Sequence, residues 1–137
     1  MLYGYSYISQ NLSQKAIDPI KEIFSHALSN LTVFLGDIYY KGNFVSKDIN
    51  KAIKFYQIAS DCKNSYAQYC LGKIYFDGVY VERKINKALN YLEYSAKLKN
   101  KDAQFFLGLL YYEGKSIPQD IDKAIYYFKL ADENACK

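Results

Sequence analysis

The chain repeats one phrase at a fixed interval. Leu35-Gly36 with Tyr39 and Gly42 is followed by Leu71-Gly72 with Tyr75 and Gly78, then by Leu107-Gly108 with Tyr111 and Gly114, each anchor 36 residues after the last. A downstream Lys-Ala pair keeps the same step at Lys51-Ala52, Lys87-Ala88 and Lys123-Ala124. A constant period without insertions means stacked copies of one small unit. The functional question then becomes which surface of the stack is read, and by what.

The second copy, Asn64 to Lys99, shows how a unit is built. Asn64 and Ser65 can each cap a helix N-terminus. Ala67, Leu71 and Tyr75 follow at a spacing of four, with Ile74 beside them, and mark one apolar face of an α-helix. Gly72 lies inside that helix, where glycine costs about 1 kcal/mol relative to alanine. Its recurrence at Gly36 and Gly108 implies that a neighbouring helix comes close there. Gly78 supplies the left-handed residue that ends the helix. A short connection, Val79 to Lys84, contributes one apolar anchor per copy: Val45, Val81 and Ile117.

A second helix starts near Ile85, with Ala88, Leu89, Leu92 and Ala96 on its apolar face. Ala52, Ile53, Tyr56 and Ala59 form that face in the first copy, and Ala124, Ile125, Phe128 and Ala131 in the third. Asp48 and Asp120 are good caps for this helix, whereas Lys84 takes their place in the second copy and predicts a weaker start. Small Ala set against large aromatics is the pattern of two close-packed antiparallel helices. Each unit is therefore a helical hairpin, and stacked hairpins share a continuous core.

The N-terminal segment fits the register more loosely. Ala16 matches Ala52, Tyr3 matches Tyr39, and Ile17 and Ile20 match Ile53 and Tyr56. Pro19 would kink or delay a helix there. Residues 12–27 read as a degenerate second helix that caps the stack. The chain, one repeat domain over 1–137, divides into a degenerate cap over 3–27 and repeats over 29–60, 64–99 and 100–132. No polar capping helix follows Cys136-Lys137, so an uncovered apolar flank is expected on the final hairpin.

Composition narrows the function classes. Half of the residues are apolar, which argues against disorder. The 16 Tyr and 8 Phe could mark a sticky surface, but much of the excess sits at repeated positions. A net charge of +4, with lysines scattered among acidic residues, falls short of a nucleic-acid patch. Three cysteines, Cys62, Cys70 and Cys136, do not make a complete disulfide framework. The opening MLYGYSYISQ lacks the basic and apolar regions of a secretory signal, and no apolar run is long enough to span a membrane. The cytoplasm is the expected compartment; a secreted or periplasmic protein whose signal had been removed would look the same.

The pattern A-x-x-x-L-G-x-x-Y-x-x-G-x-x-V-x-x-D-x-x-K-A-x-x-Y resembles the Sel-one-like repeats, relatives of tetratricopeptide repeats. The third copy carries it in Ala103, Leu107, Gly108, Tyr111, Gly114, Ile117, Asp120, Lys123, Ala124 and Tyr127. The likeness is strong over 31–132 and weak over 3–27. Leu31 departs from it in place of the first-helix Ala, as does Lys84 in place of the loop Asp. The resemblance implies an all-α, right-handed α-solenoid of three full repeats and a degenerate N-terminal half repeat. It also implies an adaptor or scaffold. A cysteine-rich secreted subgroup staples each hairpin with two cysteines eight residues apart, as Cys62 and Cys70 are. Here the pair is displaced by two positions, about 200° around a helix, so free thiols are expected.

In such a solenoid the first helices line the concave side. The positions that the core leaves over are Val33, Asp37 and Tyr40, then Tyr69, Lys73 and Phe76, then Phe105, Leu109 and Tyr112. They vary between copies where the core is uniform, as a surface does when each unit reads a different part of a ligand. Tyr40, Phe76 and Tyr112 fit core or groove equally well, whereas Asp37, Lys73 and Leu109 are expected to be exposed. An aromatic groove with one Asp and one Lys suits an apolar or mixed peptide, or a partner helix.

Chemistry is otherwise sparse. His26 is the only histidine and is far in sequence from any cysteine. No C-x-x-C zinc spacing or glycine-rich phosphate loop occurs, and the acidic residues Glu82, Asp102 and Glu113 fall at helix ends. No catalytic residue, metal site or cofactor is expected. The leading reading is a protein–protein interaction module. RNA binding on the aromatic groove is an alternative, disfavoured because Lys73 is the only basic residue in it. A second alternative is a self-associating module that pairs through its terminal hairpins.

Overall fold

The computed structural model describes residues 14–135, and over these all regular structure is α-helical. Six helices follow one another: α1 (Gln14–Lys41), α2 (Ile49–Asp61), α3 (Ser65–Asp77), α4 (Ile85–Lys97), α5 (Lys101–Glu113) and α6 (Ile121–Ala135). The main packing is between consecutive helices, so α1–α2, α3–α4 and α5–α6 form three hairpins stacked in chain order. This is the stack of helical hairpins that the periodicity implies, and the all-α repeat fold that the resemblance implies.

Local chemistry sets the helix ends. Asn64 and Asn100 start α3 and α5, each accepting a hydrogen bond at 2.9 Å from the backbone N–H of Ala67 or Ala103. Asp48 and Asp120 do the same for α2 and α6 at 3.1 Å. Lys84 makes no such bond, as its side chain dictates. Gly78 ends α3 with φ of 63°, the left-handed conformation that glycine adopts without a Cβ clash.

The recurring letters have definite packing roles. A Cβ on Gly72 would lie 2.7 Å from the Leu92 side chain, and one on Gly36 or Gly108 would press into the ring of Tyr56 or Phe128. The absent Cβ therefore lets the second helix of each hairpin close on the first. Tyr39, Tyr75 and Tyr111 stack on Phe55, Tyr91 and Tyr127, with ring centroids 5.7–6.1 Å apart. The lysine of each Lys-Ala pair, Lys51, Lys87 or Lys123, lies over the same tyrosine ring. This cation–π contact and the stacked ring hold the two helices together on their outer side. Of the loop anchors, Ile117 is buried and Val81 packs against the core, while Val45 is 39% exposed.

The N-terminal region differs from the expected separate capping helix over 12–27. Its described part runs straight into the first repeat as one 28-residue helix, and Pro19 lies inside it without ending it. The reason is the residues at the expected break. Lys63, in the left-handed conformation, and the cap Asn64 separate α2 from α3. Their counterparts 36 residues earlier are Ala27, a strong helix former, and Leu28, which cannot cap. Ile20, matched in sequence with the buried Tyr56, is 57% exposed. Tyr3 lies outside the described residues.

Candidate functional site

The expected groove residues come from the first helices α1, α3 and α5. Asp37, Tyr40, Tyr69 and Lys73 meet in one cleft of about 170 Å³ between α1 and α3. Lys41, Tyr66 and Cys70 line it with them, and Tyr56 reaches in from α2. At the bottom the Asp37 carboxylate accepts hydrogen bonds from the hydroxyls of Tyr56 at 2.5 Å and Tyr66 at 3.1 Å. Two hairpins therefore share one carboxylate.

Exposure is the sequence expectation for Asp37, Lys73 and Leu109, but all three are half-buried. Two phenols draw Asp37 inward, and the Lys73 ammonium sits 5.1 Å from the Phe106 ring. Beyond the cleft the groove residues separate. Val33 is half-buried against the core of the first two hairpins. Phe76 packs edge-on to Phe106 at 5.1 Å between hairpins, with the Arg83 guanidinium 4.8 Å from its ring centroid. It is half-buried between the two hairpins. Tyr40 meets Tyr80 edge-on at 6.2 Å while still lining the cleft. Phe105 and Tyr112 are more than half exposed. Phe105 tilts against Phe128 and lines a second hollow of about 380 Å³ with Lys101, Asp102 and Asp132.

Burial sets the protonation of the groups in the cleft. Burial pushes up the Tyr56 hydroxyl, and its hydrogen bond to Asp37 adds to the shift. Tyr66 shifts the same way, by burial and then by the neighbouring Cys70. The Cys70 thiol is pushed up to about 11 by burial, only partly offset by its hydrogen bond with Tyr66. At neutral pH these groups stay protonated. The cleft thus presents tyrosine rings, hydroxyls and two lysines around a carboxylate already engaged, and no activated nucleophile.

Lys41, Tyr66 and Cys70 escaped the sequence reading. Lys41 could have been found, since it lies four residues after Asp37 on the same helix face. Tyr66 and Cys70 carried no signal, because they occupy positions that pack between hairpins. Cys62 and Cys70 are free thiols; Cys136 lies outside the described residues. Among the described residues no cluster of three or more His, Cys, Asp or Glu could hold a metal ion. No helix there is long and apolar enough to cross a membrane.

Comparison with known proteins places this architecture. A family model of the Sel1 repeat matches residues 33–64, 65–100 and 101–131. A Sel1 repeat protein of Oxalobacter formigenes superposes with a TM-score of 0.73 at 33% identity, over 77% of this chain and 43% of its own. A protective antigen of uropathogenic Escherichia coli strains, with an SLR fold, gives 0.73 at 25% identity, over 95% of this chain and 29% of its own. The cysteine rich protein B of Helicobacter pylori, at 19% identity and a TM-score of 0.63, shares the fold over 80% of this chain and 90% of its own. The chain thus spans less than half the length of the first two. No curated protein matches it.

Proposed function

The chain belongs to the Sel1 repeat family, and from that premise we propose that it is an adaptor or scaffold that takes a peptide or a partner helix along its first helices. Repeats of this family generally mediate protein–protein interaction, and the family is one of non-catalytic scaffolds. The observation that carries the finer reading is the cleft between α1 and α3. Its tyrosine walls offer large contact area with polar tips, at a low entropy cost. Lys41 and Lys73 at its edge suit a ligand that places an acidic group beside an apolar one. The exposed Phe105 and Tyr112 extend the same chemistry along α5.

Selection of a displayed peptide library against the protein tests this reading. Peptides enriched on the wild type and lost on Tyr69→Ala with Lys73→Ala, at unchanged circular dichroism, support it. Enrichment that survives the double variant counts against the cleft.

A further inference from the structure

The N-terminal half of α1 carries an apolar stripe that no other described residue covers. Ile20, Ile23, Phe24, Leu31 and Phe34 are each 55–71% exposed. Ile20, Phe24, Ala27, Leu31 and Phe34 follow one another at spacings of four, three, four and three, the heptad seam of paired helices. From Ile23 to Gly36 the sequence holds no Lys, Arg, Asp or Glu. At 100° per residue the stripe falls about half a turn from Ser29, Thr32 and Gly36, the buried positions of α1. It therefore faces away from the molecule and is separate from the cleft.

We propose that this stripe is the contact through which two copies of the chain pair, α1 against α1 and antiparallel. The occupant is argued from the stripe itself. It is self-complementary about Ala27: antiparallel pairing sets Ile20 beside Phe34 of the second copy and Ile23 beside Leu31. The small Ala27 meets its own copy at the two-fold axis and lets the helices approach. No like charges oppose one another, since Lys21 falls opposite Val33, Glu22 opposite Thr32 and Asp18 opposite Gly36. With about 200 Å² for each large apolar side chain, the five residues present roughly 600 Å² per copy, near the ~800 Å² that each partner contributes to a stable interface.

A preceding hairpin is a poorer occupant of this face. At the matched position α3 and α5 carry Ala67 and Ala103, both fully buried, which let a first helix lie close on the hairpin before it. Leu31 takes that place in α1 and would hold such a hairpin off, whereas it fits a heptad seam.

Sedimentation equilibrium of the full chain at up to about 100 µM, with and without Phe24→Glu plus Leu31→Glu, tests the proposal. Both side chains are exposed, so the variant keeps its helical melting curve. The expected result is a wild-type dimer whose dissociation constant rises at least about tenfold in the variant. Independently, Ala27→Cys gives a cross-linked dimer under mild oxidation that the wild type, with its own cysteines, does not. A strict monomer overturns the proposal, whether another protein or the chain's own first residues then cover the face. So does a dimer indifferent to the two glutamates, or an Ala27→Cys variant that fails to cross-link.

Discussion

Tyr56 donates its hydroxyl to the Asp37 carboxylate at 2.5 Å, while its ring occupies the space that a Cβ on Gly36 would need. One side chain thus closes the first hairpin and fixes the floor of the cleft. Tyr56→Phe keeps the ring and removes the donor. A hydrogen bond to a charged group contributes about 1.5–3 kcal/mol, so the variant loses roughly that much stability by urea unfolding. Tyr66→Phe, whose bond is longer at 3.1 Å and more exposed, costs less, under about 1 kcal/mol. The opposite order would show that Asp37 is held chiefly by the second hairpin.

Gly72 sets two effects against each other. Helix propensity alone favours alanine there by about 1 kcal/mol. The new Cβ would sit 2.7 Å from Leu92 and 3.3 Å from the Ala88 carbonyl oxygen, so helices α3 and α4 must separate. Overpacking of this kind costs about 1–3 kcal/mol, and the net change for Gly72→Ala is destabilising. Thermal unfolding decides the sign.

Gln68 and Gln104 occupy the same position in successive hairpins but are not equally satisfied. Gln104 donates to the Ala96 carbonyl at 2.9 Å and accepts from the Asn134 side chain at 2.7 Å. The buried Gln68 Oε1 has no partner among the described residues, and Leu98 stands where Asn134 stands in the next copy. Leu98→Asn supplies the missing donor, and Leu98 is exposed enough that little packing is lost. The variant gains about 1 kcal/mol, and Asn134→Leu loses a similar amount. Chemical denaturation of the two variants checks the pair.

Stability falls in alkali. The folded Cys70 thiol is held at about 11, above its ordinary 9.0, so folding favours its protonated form. That contribution is full below pH 9 and is lost as pH rises through 11. The Tyr56 hydroxyl, also raised, acts in the same direction above its ordinary 10.0. Urea midpoints measured from pH 8 to 11 should fall, and Cys70→Ala should flatten the decline. At pH 8 the folded Cys70 also alkylates about a hundredfold more slowly than an ordinary thiol, in line with the two-unit shift.

The sequence made the scaffold legible because one rule recurs three times. A Gly-to-second-helix contact, a Lys–Tyr–aromatic stack and a left-handed glycine each leave a letter at a fixed place. The long α1 was harder to read. Its signal was an absence, Leu28 where Asn64 and Asn100 cap, and the eye follows repeats more readily than their failure. The candidate site was legible in part. Helical spacing brought out Asp37, Tyr40, Tyr69 and Lys73, but it could not reveal that Tyr56 and Tyr66 converge on Asp37 from two other helices. Phe76 was ambiguous because its packing partner, Phe106, belongs to the next copy.

The central claim, that ligands bind along the first helices, is tested most directly by amide chemical-shift mapping of the labelled protein with a selected peptide. The account predicts shifts concentrated at Asp37, Tyr69, Lys73 and Phe105, with α4 and α6 quiet. Shifts centred on Lys54, Glu93 and Tyr126 of the second helices, with the cleft unchanged, would contradict it.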